Sequence, residues 1–180
     1  MKQQKKIVLG VTGSIAAYKS ADLVRRLREK EYVITVVMTD GAAQFITPLT
    51  LASLSGRPVY HQMFKDEESG EMLHIRLAKE ADILLVAPAT ANIIGRLANG
   101  LADDLLTCIA LATRAPIVVA PAMNEAMYQH PAVQDNCRKL KERGVKFVDP
   151  IEGDLACGDY GKGHLAAIET IVKAIQSLKC

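Results

Sequence analysis

The sequence has no tryptophan and only three phenylalanines and five tyrosines, so it lacks the ring platforms on which binders of single-stranded nucleic acid stack bases. A basic block is missing too. Beyond Lys2, Lys5 and Lys6 the charges are interspersed, and a net charge of +2 spread in this way is no footprint for nucleic acid. The four cysteines, Cys108, Cys137, Cys157 and Cys180, form no CxxC pair, which excludes a zinc knuckle and a disulfide framework. No metal site is expected, and a reducing, cytoplasmic setting fits. No apolar run reaches the ~18 residues of a membrane span. The run Ile7–Val11 stops at Thr12 and Ser14 and passes directly into helical spacing, so it reads as a first strand rather than a secretory signal.

What is present is aliphatic. With 49% hydrophobic residues in 180, the chain can bury one core of ordinary size, and no repeat, low-complexity tract or linker divides residues 1–180, so a single domain is expected. Five apolar runs rich in Val and Ile predict strands: Lys6–Val11, Val33–Met38, Ile83–Ala87, Ile117–Ala120 and Lys146–Val148. Between them the period changes. Ala21, Leu23, Val24 and Leu27 share one helical face opposite Arg25, Arg26, Arg28 and Glu29, and further helices are predicted over Ala91–Ala98, Ala102–Thr113, Pro131–Arg143 and Ala167–Leu178, with Gly144 closing the third of these. Strands that are apolar throughout, alternating with helices, imply a parallel sheet covered on both faces. The expected fold is α/β, a doubly wound sheet of flavodoxin or Rossmann type.

In such sheets the ligand lies beyond the carboxyl ends of the strands, where strand order reverses. The turn Gly10–Ser14 offers backbone N–H groups to a phosphate, and equally a tight turn with Ser14 as cap. It is not the GxGxxG fingerprint. Asp40 stands where a nicotinamide enzyme places its ribose-binding acid, so that reading stays open beside a plain Asp40–Gly41 turn. Pro88–Asn92 puts small side chains and two polar groups after a buried strand, either as room for a flat ring or as a helix start capped by Thr90 or Asn92. Pro121–Met127 delivers the Asn124 amide to the ligand edge, where it orients a carboxylate without holding the ground state as strongly as an Arg would, or else caps the next turn. His74, among apolar neighbours, is a structural histidine or a base near neutral pH. The glycine-rich stretch Gly153–Gly163 has no periodicity and reads as a mobile flap carrying the Cys157 thiol.

Several of these segments together resemble the flavin-containing cysteine decarboxylases, on the side of the family that acts on 4'-phosphopantothenoylcysteine in coenzyme A synthesis. The likeness runs over essentially the whole chain. It is carried by Thr12–Ala16, His74–Ile75, Ala87–Asn92, Ala98–Leu105, Pro121–Asn124 with Met127, and Leu155–Gly158. The resemblance implies FMN, with its phosphate near Gly13, Ser14 and Ile15 and its ring and ribityl chain near Thr39, Thr90, Ala91, Asn92 and Ala122. It implies catalysis by His74, Asn124 and Cys157, substrate contacts from Met123, Asn124 and Ala156, and a homo-oligomer built from trimers in which His74 serves a neighbouring copy's site.

The chemistry it implies starts from a carboxylate with no electron sink beside it. Oxidation of the cysteinyl CH2–SH to a thioaldehyde supplies one, CO2 leaves to give an enethiol, and a returned hydride with a proton from Cys157 completes the saturated thiol. Relatives that stop at the enethiol of a peptide C-terminal cysteine need no such acid. Tyr128 stands where the family often has Trp, His164 stands where an Arg often follows the flap, and no synthetase domain follows, which implies either a stand-alone enzyme, with a separate synthetase chain as a partner, or a domain excised from a bifunctional protein. The rivals are a peptidyl-cysteine decarboxylase, a flavin prenyltransferase of similar fold, a nicotinamide oxidoreductase and a non-enzymatic flavin-binding regulatory subunit.

Overall fold

The computed structural model describes residues 4–64, 72–154 and 160–178. Six strands, β1 (Lys6–Val11), β2 (Val33–Met38), β3 (Val59–Tyr60), β4 (Ile83–Ala89), β5 (Ile117–Pro121) and β6 (Lys146–Phe147), form one sheet in the order β3-β2-β1-β4-β5-β6. Every pairing is parallel, with Ile7 opposite Ile34 on one side and Ile83 on the other. A five-residue 3-10 helix (Ile15–Lys19) leads into α1 (Ser20–Glu29). The remaining helices are α2 (Asp40–Ala43), α3 (Pro48–Ser55), α4 (Leu73–Glu80), α5 (Ala91–Asn99), α6 (Leu105–Ala112), α7 (Glu125–Gln129), α8 (Pro131–Glu142) and α9 (Ile168–Gln176).

The central strands read as unbroken apolar runs because both faces of the sheet are covered. Ile7, Leu9, Val11, Ile34, Val36, Ile83 and Leu85 pack with Leu23, Val24 and Leu27 of α1, Leu51 of α3 and Ile171 and Ile175 of α9. Val8, Val37, Leu84, Val86 and Val119 point the other way, onto Leu73 and Leu77 of α4, Ile93 and Ile94 of α5, Leu106 and Ile109 of α6 and Leu140 of α8. Each such side chain contributes roughly 1.5–3 kcal/mol by leaving water.

Several boundaries differ from the expected ones for local reasons. The helix expected over Ala102–Thr113 begins at Leu105, because the Asp104 carboxylate accepts from Thr107 N at 2.8 Å and Thr107 Oγ1 accepts from Asp104 N at 3.2 Å, a reciprocal cap that fixes the start. Gly144 does close α8, at φ 86°. α3 and α4 answer to no expected element, although Thr47, accepting from Thr50 N, and Pro48 at the first turn are start signals for α3. The glycine-rich segment, expected to be irregular, instead contributes β7 (Ile151–Asp154) and β8 (Tyr160–His164), an antiparallel pair separate from the main sheet. Gly153 lies opposite Gly161, so the alternation of side chains that marks a strand is erased there. Cys157 and Ala156 lie outside the described residues. Among the described residues no helix is long and apolar enough to cross a membrane, and no group of three or more His, Cys, Asp or Glu side chains is placed to hold a metal.

Candidate functional site

A cavity of about 950 Å³ opens at the carboxyl ends of β1, β2, β4 and β5, on either side of the β1–β4 pair where strand order reverses. Thr12, fully buried, ties the two exits together: its hydroxyl donates to Pro88 O at 2.7 Å and accepts from Thr90 N at 3.1 Å. The first two exits touch backbone to backbone. A Cβ on Gly13 would lie 3.0 Å from the Gly41 Cα and carbonyl carbon, so the cavity floor between β1 and β2 is bare main chain.

Each strand exit turns into a helix whose first amides are capped. Ser14 Oγ accepts from Ala16 N at 3.3 Å, Thr39 Oγ1 from Ala42 N at 3.3 Å, Thr90 Oγ1 from Ile93 N at 3.3 Å and Asn124 Oδ1 from Ala126 N at 2.9 Å. The capping readings of Ser14, Thr90 and Asn124 therefore hold, and Asp40–Gly41 opens α2 rather than a simple turn. Capping does not compete with ligand binding. A hydroxyl that accepts with its oxygen still has a proton to donate, and an amide anchored through Oδ1 presents its NH2 as a donor. The helix starts add positive partial charge to the same edge.

The opposite wall comes from β8. Met123 N donates to Gly163 O at 3.0 Å, which fastens the hairpin to the β5 exit, and Gly163, His164 and Leu165 line the cavity. Lys19 Nζ lies 2.6 Å from His164 Nε2, and burial pushes the Lys19 pKa down. Arg96, on the cavity face of α5, is held by Asp104 at 2.7 Å and Asp103 at 3.2 Å.

The structure brings Gly13, Ser14, Ile15, Thr39, Thr90, Ala91, Asn92, Ala122, Met123 and Asn124 to this one cavity. It does not bring His74 there: the residue sits half-buried in the first turn of α4 and is absent from the lining. Lys19, His61, Arg96 and Met127 line the cavity without having been singled out as site residues. For Arg96 a signal existed, since Asn92 and Arg96 are four apart on one helix and share a face. For the pairing of Lys19 with His164, 145 residues apart, there was none. A flavin fits these residues: the glycine floor and the buried Met38, Ile93 and Ala122 suit a flat ring, and the capped turns supply donors for its polar edges and phosphate.

Known proteins resemble the chain in sequence and in fold. A bifunctional coenzyme A biosynthesis protein of Vibrio vulnificus is 51% identical over 161 residues, 89% of this chain, and the chain spans 40% of that protein's length. A Streptococcus mutans protein named a probable phosphopantothenoylcysteine decarboxylase is 48% identical over 96% of this chain and 97% of its own. Among solved structures, a cysteine-to-serine PPC decarboxylase mutant complexed with pantothenoylaminoethenethiol superposes with a TM-score of 0.86 at 34% identity, covering 97% of both chains. The FMN-dependent cysteine decarboxylase SpaF gives 0.84 at 34% identity, over 96% of this chain and 97% of its own. The family model described as Flavoprotein matches residues 1–179, and with the sheet order and the strand-end cavity already in place, it is to the Flavoprotein family that this chain belongs.

Proposed function

We propose that the protein is an FMN-dependent decarboxylase that converts 4'-phosphopantothenoylcysteine to 4'-phosphopantetheine and CO2 in coenzyme A synthesis. The observation that carries this reading is the Asn124 amide, anchored by its cap and delivered by the β5 exit into a cavity whose floor and capped turns suit a flavin. When bound, FMN accepts two electrons from the substrate's CH2–SH and returns them after CO2 has left, so the net reaction consumes no outside oxidant.

The chain's residues hold and protonate. Asn124 orients the carboxylate through NH2 donors while the apolar wall disfavours a full negative charge. Met123 and Ala156 flank the substrate, and Cys157 returns the proton that yields the saturated thiol. His74 takes the thiol proton in a site completed by a second copy of the chain, because it lies off its own cavity. We assign the working form to a homo-oligomer of trimers, acting in the cytoplasm, where a thiol substrate stays reduced. A synthetase acts beside it, as a fused domain or a separate chain.

Mass spectrometry of the FMN-loaded protein with this one substrate tests the reading. A product lighter by CO2 with no loss of hydrogen is expected. Cys157→Ser is expected to release CO2 and accumulate the enethiol, and saturated product from that variant removes Cys157 from the mechanism. A protein that binds no flavin, or releases no CO2, overturns the proposal.

A further inference from the structure

Arg96 stands on α5 one turn after Asn92, on the same face of the helix, and lines the cavity together with Thr90, Asn92 and Ile93 of the β4 exit. One of its nitrogens is fixed. Nη1 reaches Asp104 Oδ2 at 2.7 Å and Asp103 Oδ1 at 3.2 Å. Asp104 is fixed in turn, because its other oxygen, Oδ1, accepts from Thr107 N at 2.8 Å as the cap of α6. A helix start thus holds a carboxylate, and the carboxylate holds a guanidinium. The guanidinium carries five N–H groups in a rigid fork, and among the described residues those on Nε and Nη2 meet no acceptor.

The balance of charge decides what such a donor suits. A carboxylate or phosphate arriving at Arg96 would meet two carboxylates already in place, so a full anion gains little there. A ring edge made of carbonyl and imine acceptors carries no net charge and needs only oriented N–H groups. The edge of an oxidised flavin is of this kind, and on reduction it takes up negative charge at N1 and the C2 carbonyl. In the proposed reaction the ring receives two electrons from the substrate and gives both back. Its reduced form must therefore be stabilised enough to form and not so much that it keeps them. A guanidinium tempered by two carboxylates meets both requirements.

We infer that Arg96 donates to the N1 and C2-carbonyl edge of the bound flavin, and that Asp103 and Asp104 are positioning residues that limit its charge, so that this wall of α5 sets the ring's affinity for electrons. This rests on the proposed function, which puts FMN in the cavity and asks it to return what it takes.

Sulfite is the probe. It adds through its lone pair at N5 of oxidised flavin and leaves a negative charge at N1 and the C2 carbonyl, with no substrate present. Its dissociation constant from the FMN-loaded protein is read by bleaching of the visible flavin band, and the two-electron reduction potential by equilibration with a reference dye. Arg96→Gln removes a charge-assisted donor and is expected to weaken sulfite binding on the order of tenfold to a hundredfold, with a lowered potential. Arg96→Lys, which keeps the charge and loses the fork, is expected to recover part of both and serves if Arg96→Gln retains no flavin. Asp104→Asn keeps the helix cap and removes a counter-charge, so its expected effect has the opposite sign, with sulfite bound a few-fold more tightly and a raised potential. Asp103→Asn, a more exposed change, is expected to do the same more weakly and serves if Asp104→Asn does not fold. Sulfite binding and potential unmoved in Arg96→Gln overturn the inference. So does a shift of one sign in the Arg96 and Asp variants alike, which is what a merely displaced wall would give, and so does a raised KM for 4'-phosphopantothenoylcysteine with the sulfite response unchanged, which would assign Arg96 to the substrate. An unaltered protein that binds no flavin fails the functional reading, whereas one that binds flavin with properties indifferent to Arg96 fails this inference alone.

Discussion

At the strand ends Ser14, Thr39, Thr90 and Asn124 each give an oxygen to a helix amide, whereas on the hairpin side Lys19 and His164 meet each other and, among the described residues, no carboxylate pairs with Lys19. The first wall is held by groups that belong to the fold, and its polar atoms are partly occupied before any ligand arrives. The second is held by main chain, through Met123 N and Gly163 O, and its Lys19 meets no carboxylate among the described residues. One wall therefore positions, with geometry inherited from capped helices, and the other attracts. Substitutions on the first should move the fold and the chemistry together unless the cap is preserved, and substitutions on the second should move recognition alone.

Asn124 separates these contributions most sharply. Asn124→Asp keeps a cap of equal quality, so thermal stability is expected to stay close to that of the unaltered protein, but it sets a second negative charge against the substrate carboxylate. Decarboxylation should fall by about a hundredfold or more, the range for losing one oriented donor at a reacting centre. Asn124→Ala should show the same loss of turnover with a lowered Tm. If Asn124→Asp turns over normally, the residue is a cap and nothing else.

Gly13→Val tests the bare floor. With a Cβ only 3.0 Å from the Gly41 backbone, the β1 and β2 exits must part, and overpacking of this kind costs about 1–3 kcal/mol. Flavin affinity should weaken by roughly tenfold to a hundredfold, read by quenching of flavin fluorescence. Undiminished affinity would mean that the close approach has no part in the site.

Thr12→Val is the matching change beneath the floor. It keeps the shape and removes both the donor to the buried Pro88 O and the acceptor for the half-buried Thr90 N, the loss of the first alone costing about 1–3 kcal/mol. A fall in the urea midpoint with little change in kcat is expected. A collapse of kcat at unchanged stability would place Thr12 among the groups that act on the ligand.

Much of this was legible in the chain, and the reasons differ by region. Strands buried on both faces print themselves as continuous runs, which is why Lys6–Val11 and Val33–Met38 are found at their expected bounds. The capped exits were legible because Ser14, Thr90 and Asn124 directly precede helical spacing. The hairpin was not, since Gly153 opposite Gly161 leaves no side chains to alternate, and β3 is only two residues long. Nor was the Lys19–His164 contact, a product of tertiary folding with no local trace. The cavity was thus readable where local helix-start chemistry builds it and unreadable where distant segments close it.

Tyr128 offers a smaller test away from both walls. It is buried at the C-terminal part of α7, its backbone carbonyl accepts from the Gln134 side chain, and its phenol pKa is pushed up to about 12, first by burial and then by the Asp149 charge. In the unfolded chain the phenol ionises near 10.0, so below that pH both states hold the proton and the stabilising contribution is fully present. As pH rises from about 10 to about 12 the unfolded state alone loses its proton, and that contribution drains away. Urea midpoints of the unaltered protein and Tyr128→Phe at pH 8 and pH 11 isolate it from the other titrations in that range. The unaltered protein is expected to lose more stability between the two pH values than the variant does. Equal losses would mean that Tyr128 titrates as freely in the folded chain as in the unfolded one, and that burial beside Asp149 does not hold its proton.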